Sequence, residues 1–167
     1  DIIKRQWLPI DLDPIRPAGI SSNEEEHAAA IQKATDIREW LISKGWQAGA
    51  FILADSGNGG HLAAKIDLPN DEASRDLVKS CLEALDATFS DDIVKVDTTT
   101  YNAARIWKIY GTAARKGSDT DDRPHRIAKI LEAPDELVTI SREQLEELAA
   151  IRAMPKGQRA EKSHTDF

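Results

Sequence analysis

The strongest constraint on the fold is the order in which the spacing of apolar residues changes along the first hundred positions. Leu8, Ile10 and Leu12 alternate with other residues, which is the spacing of a half-buried strand. After Ser22, apolar residues recur every three or four positions, which indicates a helix. Two apolar runs, a second helical pattern and another alternating run follow. The predicted element order is therefore β-α-β-β-α-β.

Local signals predict where these elements begin and end. Ser22 and Glu25 form a predicted capping box at the start of the first helix, and Gly45 ends that helix. Asn70 and Asp71 are predicted to open the second helix. The predicted strands cover residues 7–13, 48–55, 61–68 and 92–100.

This element order is the split βαβ pattern, so we expect an α+β fold with an RNA-recognition-motif-like β-α-β-β-α-β sheet. Additional C-terminal strands are predicted over 104–112 and 125–131, followed by a helix that Ser141 caps. We expect residues 1–154 to form one domain. Residues 155–167 are polar and are predicted to be a disordered tail.

Cysteine content and hydropathy restrict the class of protein. No apolar run is long enough to cross a membrane, and no secretory signal is visible. The single Cys81 excludes a disulfide framework and a cysteine-rich zinc site. It falls on the apolar face of the second helix, so we expect it in the core. This cysteine usage is consistent with a reducing cytoplasm, which is the expected location.

Charge is distributed unevenly along the chain. The net charge of −7 by itself argues against a nucleic-acid-binding surface. Residues 101–130, however, hold seven Lys/Arg against three Asp, a local charge of +4. On charge alone, four of these residues are predicted to contact phosphate groups or a template, the alternative for each being a solvated loop side chain: Arg115, Lys116, Arg123 and Arg126.

Three aspartates are the first candidate site. Asp11 and Asp13 stand at positions i and i+2 of a strand and so point to the same side, about 7 Å apart along the chain. Asp97 on the fourth predicted strand can approach that face. The alternative is a solvated strand face, but three acids on one face favour a two-metal site for phosphoryl or nucleotidyl transfer. Oxygen ligands suit Mg²⁺ or Mn²⁺ better than zinc.

The turn "SGNGGH" at 56–61 is the second candidate. Gly57, Gly59 and Gly60 allow a tight hairpin, which is one interpretation. Such a loop can also let its backbone approach a ligand and can form an anion-binding concavity. Ser56 and His61 would then stand beside a bound phosphate.

Together these motifs resemble those of the archaeo-eukaryotic primase superfamily, notably the primase-polymerases of phages, plasmids and other mobile elements. The family has an hDhD strand, an SxH-type glycine turn and a later hD strand. Here the three motifs are "PIDLD" (9–13), "SGNGGH" (56–61) and "KVD" (95–97). The resemblance covers roughly residues 7 to 134.

The resemblance implies a metal-dependent nucleotidyltransferase of DNA replication that synthesises or extends primers on a single-stranded DNA template. Asp11, Asp13 and Asp97 would be the catalytic metal ligands for two Mg²⁺ or Mn²⁺ ions. The expected nucleotide-binding residues are Ser56, Gly57, Gly59, His61 and, on charge alone, Arg105. The implied partners are nucleoside triphosphates, a primer and template, and a helicase domain in the full-length protein.

The chain departs from the family pattern in two respects. Relatives usually carry an αβ module before the first motif, whereas about ten residues precede it here, so we expect a catalytic core without that module. Many relatives also have a zinc stem, which one cysteine cannot form, so no zinc is expected.

Two other functions remain open at this point. A non-catalytic nucleic-acid-binding module would keep the same sheet but stack bases on exposed aromatics, and aromatic residues make up only 5% of the chain. A rolling-circle replication nuclease uses a similar sheet with paired histidines and a tyrosine nucleophile. The four histidines of this chain show no such close pair, so this alternative is the least expected.

Overall fold

The structure is a computed structural model that describes residues 1–153. The protein is α+β, as predicted, and the predicted tail at 155–167 lies outside the described residues. A short 3₁₀ turn, Ala48–Ala50, precedes the second strand. In chain order the elements are β1 (Lys4–Pro14), α1 (Glu24–Ser43), β2 (Phe51–Asp55), β3 (Gly60–Pro69), α2 (Glu72–Phe89), β4 (Val94–Val96), β5 (Ala113–Ala114), β6 (Arg126–Ile127), β7 (Lys129–Glu132) and α3 (Arg142–Ala153).

Five of the strands form one antiparallel sheet in the order β4-β1-β3-β2-β7. The short strands β5 and β6 pair with each other in a separate ribbon. Strand β1 is internal because β3 pairs with one of its edges and β4 with the other. The site residues carried by β1 therefore have neighbouring strands on both sides.

The alternation predicted in β1 separates the two faces of the sheet. Leu8, Ile10 and Leu12 are fully buried and pack with the apolar faces of the helices in one core. Asp11 and Asp13 point to the opposite face because successive side chains of a strand alternate. The face that the helices leave open is thus the face that carries the acids.

Cys81 lies in the core, as predicted. Its thiol donates to the carbonyl of Leu145 at 3.2 Å, which links α2 to α3. Burial raises the pKa of this thiol to about 12, so the group stays protonated at neutral pH. Among residues 1–153, no helix combines the length and the apolar content that a membrane span requires.

The caps of α2 and α3 agree with the prediction, whereas the cap of α1 is shifted by one residue. The capping box of α1 uses Asn23 and Glu26, with both reciprocal bonds at 2.9 Å. Ser22 is not the cap because it is fully buried and its N–H donates to the side chain of Asn58. Tertiary contact with the glycine turn thus displaces the predicted cap.

The prediction of a strand over 104–112 is wrong. Ile106 is 92% exposed, while Trp107 and Tyr110 contact the side chain of His61 on β3. Residues 102–112, which we call the arm, therefore meet the open face of the sheet through side chains and add no strand to it. The arm brings two aromatic rings close to the acids of β1.

Three other predicted strands are shorter than expected. The second, predicted over 48–55, begins only at Phe51, after the 3₁₀ turn. The fourth covers only Val94–Val96, because the Asp97 carboxylate accepts from both the N–H and the hydroxyl of Thr99 and so forms a turn. The strand predicted over 125–131 is divided at Ala128 into β6 and β7. The N–H and carbonyl of Ala128 bond to the end of the arm.

Candidate metal centre and its cleft

Three carboxylates meet on the open face of the sheet. Asp11 and Asp13 share one side of β1, and the pairing of β4 with β1 brings the chain back to them at Asp97. The N–H of Asp97 donates to the backbone carbonyl of Asp11 at 2.9 Å. One oxygen of each carboxylate lies within 4.8 Å of the other two. Residues that the sequence motifs associate are therefore neighbours in space.

The electrostatics of this triad favour a cation. The pKa of Asp13 is raised, first because surrounding protein disfavours the charged form and next because Asp11 repels it. This desolvation acts although Asp13 is exposed at the surface, because the carboxyl group lies in a concave region. Arg16 and Lys116 oppose the shift only in part. A divalent ion bound by the three carboxylates would remove this repulsion.

Arg105 already neutralises part of the triad. Its guanidinium lies 3.1 Å from one oxygen of Asp97, and the other oxygen accepts from Thr99. The sequence associates Arg105 with the nucleotide, whereas the structure also makes it a direct partner of a candidate metal ligand. A cation bound to the same Asp97 oxygen would compete with this ion pair.

Asp11 and Asp13 line a cleft of about 460 Å³ that also contains Ser56 and His61, and Asp97 lies beside the two acids. Basic side chains surround the acids, and the predicted phosphate contacts Arg115 and Lys116 are among them. The sequence analysis assigned no role to two further basic residues of this lining, Arg16 and Lys108. Arg16 follows directly after the acidic strand, which was the available signal. An acidic floor with a basic rim can hold a divalent cation and an anionic phosphate together.

Arg123 and Arg126 do not reach this cleft. Arg123 forms a two-bond ion pair with Glu26, at 2.8 and 3.1 Å, and this pairing is the main reason why the pKa of Glu26 is lowered. Arg126 bonds to Glu24 at 2.9 Å and to the carbonyl of Gly57 at 3.2 Å. Both arginines therefore attach the loop around β5 and β6 to the start of α1, so their observed contacts anchor this loop.

Close packing within the folded protein accounts for the glycines of the turn. Gly57 has a φ of +96°, and a Cβ there would lie 2.4 Å from the Cβ of Ala114. A Cβ on Gly59 would lie 2.2 Å from the carbonyl oxygen of Leu12, and one on Gly60 would lie 2.7 Å from the Ala30 carbonyl oxygen. Close packing of the turn against β1, β5 and α1 thus requires glycine before any ligand is considered.

Two backbone N–H groups of the turn donate hydrogen bonds to neighbouring side chains. The N–H of Gly57 donates to Asp55 at 2.6 Å, and the N–H of Gly59 donates to the Ser56 hydroxyl at 3.0 Å. These two N–H groups are therefore not directed at a phosphate in this structure. Ser56 lines the cleft while accepting this bond, so its hydroxyl proton is available as a donor there, and Asn58 of the turn also lines the cleft.

A buried histidine–aspartate contact that the sequence analysis missed supports the turn. Nε2 of His27 lies 2.9 Å from Oδ1 of Asp55, and both side chains are largely buried. Burial raises the pKa of Asp55, but the hydrogen bonds from His27 and Gly57 outweigh it, so the net shift is downward. The available signal was an aspartate that ends a strand directly before the glycine turn.

His61 lies between the triad and the arm. Its Nε2 is 3.4 Å from Oδ1 of Asp11, and its Nδ1 is 3.0 Å from the Tyr110 hydroxyl. The Trp107 ring stacks on the imidazole with centroids 4.0 Å apart, so only 3% of His61 is exposed. A ligand can reach the imidazole face only if Trp107 moves.

The hydrogen-bond network around His61 is consistent with one tautomer of its imidazole. Nε1 of Trp107 is a donor only, so the Tyr110 oxygen accepts from it at 3.1 Å and can donate its own proton to Nδ1 of His61. The imidazole proton is then on Nε2, on the side of Asp11. Burial is the main cause of the raised pKa of Tyr110, which keeps this hydroxyl protonated. In this arrangement Nε2 of His61 is a polar neighbour of Asp11 at 3.4 Å.

Comparison with protein-family models, with curated proteins and with solved structures found no match for this chain. The function of the site must therefore be inferred from its own residues and geometry.

Proposed function

We propose that this chain is the catalytic core of a metal-dependent nucleotidyltransferase of the primase-polymerase type, which synthesises or extends primers on single-stranded DNA. The observation that carries the proposal is the convergence of Asp11, Asp13 and Asp97 within 4.8 Å of one another, beside a cleft that basic side chains surround. The strand order β4-β1-β3-β2 supports an RNA-recognition-motif-like sheet as part of this proposal.

Each part of the cleft has a role in this reaction. Asp11, Asp13 and Asp97 hold the ions through oxygen ligands, the set that Mg²⁺ and Mn²⁺ prefer. When bound, two such ions supply a lowered pKa for the attacking 3′ hydroxyl and charge neutralisation at the leaving pyrophosphate. Arg115 and Lys116 attract the triphosphate by charge.

His61 and Ser56 complete the proposed nucleotide site. Nε2 of His61 lies 3.4 Å from the Asp11 carboxylate, and it contacts the triphosphate once Trp107 leaves the imidazole face. The hydroxyl of Ser56 is one polar group that the glycine turn presents to the cleft, and Asn58 also lines it.

A non-catalytic nucleic-acid-binding module is the second candidate. The observation that favours it is the grouping of Trp7, Trp107 and Tyr110 along one groove on the open face of the sheet. Aromatic side chains on such a face can stack unpaired bases without any chemistry. Incorporation of nucleotides that depends on the triad distinguishes the two candidates.

The histidine geometry gives no support to a rolling-circle nuclease. Within residues 1–153, His27 pairs with Asp55, His61 with Tyr110 and His125 with the carbonyl of Gly117, so the described histidines form no metal-binding pair. The fourth histidine, His164, lies outside the described residues.

The direct test uses the full chain with Mn²⁺, single-stranded template DNA and labelled nucleotides, with and without a primer. We expect Mn²⁺-dependent products that disappear in Asp11→Asn and in Asp97→Asn. Asp36→Asn, an exposed change on α1, is the matched control and should retain activity. Absence of incorporation by the unmodified chain under all conditions, or full activity in both triad variants, would overturn the proposal.

A further inference from the structure

A second groove lies on the open face of the sheet, beside the acidic cleft. Its volume is about 510 Å³, within the range of sites that bind small organic groups. The strands contribute Trp7, Ile52 and Ala63, and the arm contributes Trp107 and Tyr110. The groove is therefore largely apolar and aromatic, unlike the charged cleft next to it.

The charge of the groove is opposite to that of the whole protein. Lys4, Arg5 and Arg105 are among its lining residues, and no acidic residue of the described part of the chain lines it. This occurs in a chain of net charge −7. Nζ of Lys65 also lies 5.3 Å from the centroid of the Trp7 ring. The groove thus combines aromatic surface with a cationic border.

This combination indicates one class of ligand. An unpaired base offers a π-face to aromatic side chains, and the phosphates on either side of it require cations. A purely apolar ligand would make no use of the cationic border of the groove. An acidic peptide would leave the aromatic surface unused.

We propose that this groove binds an unpaired base of single-stranded DNA, with the base against Trp7 and Trp107. Lys4, Lys65 and Arg105 hold the flanking phosphates. The inference rests on the proposed function in one respect, which is the direction in which the bound DNA strand runs. Because Arg105 and Trp107 line both the groove and the acidic cleft, a DNA strand bound in the groove continues into the cleft that contains Asp11 and Asp13.

The accessible surface of the groove agrees with this role. Trp7 is half-buried, and the Lys4 side chain is more than half exposed although it pairs with Asp67. A bound phosphate can therefore replace a solvent-exposed ion pair, which contributes little to stability. No core side chain has to be displaced.

The test measures binding of a fluorescently labelled oligothymidine to the full chain by anisotropy, in EDTA and at low salt. Base stacking on a single aromatic side chain predicts a loss of affinity of at least about fivefold in Trp7→Ala and in Trp107→Ala. Trp40→Phe is the control, because Trp40 packs against Phe89 on the helical side, and its affinity should equal that of the unmodified chain. Circular dichroism confirms that each variant is folded.

An abasic oligonucleotide of equal length provides a test that needs no variant. It keeps the phosphates and lacks the bases, so we expect it to bind the unmodified chain at least about fivefold more weakly. Equal affinity for the two strands, no detectable binding of oligothymidine at low salt, or unchanged affinity in both tryptophan variants would overturn the inference.

These outcomes are independent of the outcome for the proposed function. EDTA removes divalent ions, so binding is measured without nucleotidyl transfer. If the affinity depends on the bases and Trp7→Ala reduces it, base binding in the groove is supported even if the incorporation assay is negative. Unchanged affinity in both tryptophan variants overturns the inference that the groove binds a base, even if the chain incorporates nucleotides.

Discussion

The backbone N–H of Asp97 donates to the backbone carbonyl of Asp11 at 2.9 Å. This bond extends the pairing of β4 with β1 by one residue, so main-chain geometry determines how closely the two carboxylates approach. A site positioned by backbone pairing is preorganised, because its ligands lose little conformational freedom when an ion binds. The proposed metal site therefore requires no folding of a loop around the ion.

The repulsion within the triad predicts that Asp13→Asn raises the thermal midpoint at pH 7 in EDTA. Desolvation, followed by repulsion from Asp11, raises the pKa of Asp13 in the folded protein. Above the ordinary aspartate pKa of about 3.9, the folded state then binds more protons than the unfolded chain, so the ionised carboxylate is destabilising. Solvent screening keeps the gain below about 1 kcal/mol, or about 2–4 °C.

Thermal unfolding at two pH values checks this prediction. The difference between Asp13→Asn and the unmodified chain should vanish near pH 3, where this carboxyl group is largely protonated in both states. Asp36→Asn, which lies on α1, should behave like the unmodified chain at both pH values. A lower midpoint in Asp13→Asn at pH 7 would show that its carboxylate has a structural role.

The ion pair of Arg105 with Asp97 predicts that Arg105→Ala binds Mn²⁺ more tightly than the unmodified chain. Removal of the guanidinium, 3.1 Å from Asp97, frees an oxygen that a metal ion can use. The pair is exposed, so the expected gain is at most about fivefold. Isothermal titration with Mn²⁺ measures it, and Arg75→Ala, an exposed change on α2, is the control. Weaker Mn²⁺ binding would mean that Arg105 helps to build the site.

The two-bond pair of Arg123 with Glu26 predicts that Arg123→Ala lowers the thermal midpoint at pH 7. Arg123 is the main cause of the lowered pKa of Glu26. The stability from this pair is therefore present above the ordinary glutamate pKa of about 4.3, and it is lost as pH falls through the lowered value. Arg115→Ala, on the same loop but in the cleft, should leave the midpoint unchanged. An equal loss in both variants would contradict an anchoring role.

The close packing of the glycine turn predicts that Gly57→Ala is more destabilising than Gly111→Ala. Both glycines have a positive φ, so alanine costs about 1–2 kcal/mol at either position. Only at Gly57 would the new Cβ also collide with Ala114, whereas nothing lies within 4 Å at Gly111. Overpacking adds about 1–3 kcal/mol. Urea unfolding of both variants measures the difference, and equal values would show that β5 moves away easily.

The sequence alone determined the features that depend on neighbours along the chain. Alternation in β1 predicted which residues are buried and which face carries Asp11 and Asp13. Three-to-four spacing predicted α1 and α2, and short polar signals predicted most helix ends. These features are local, because the spacing of apolar residues within one strand or helix indicates which of its side chains face the core and which face solvent. The capping error in α1 arose where a distant residue, Asn58, bonds to Ser22.

Tertiary structure decided which partner each functional side chain has. No periodicity indicates that Trp107 covers His61, that Arg105 reaches Asp97, or that Arg123 pairs with Glu26. The apolar spacing of the arm is compatible with a strand, but its aromatic rings find contacts across the sheet that outweigh the strand propensity of the segment. Long-range contacts of this kind depend on how elements pack in three dimensions, and a sequence pattern records only the spacing within each element.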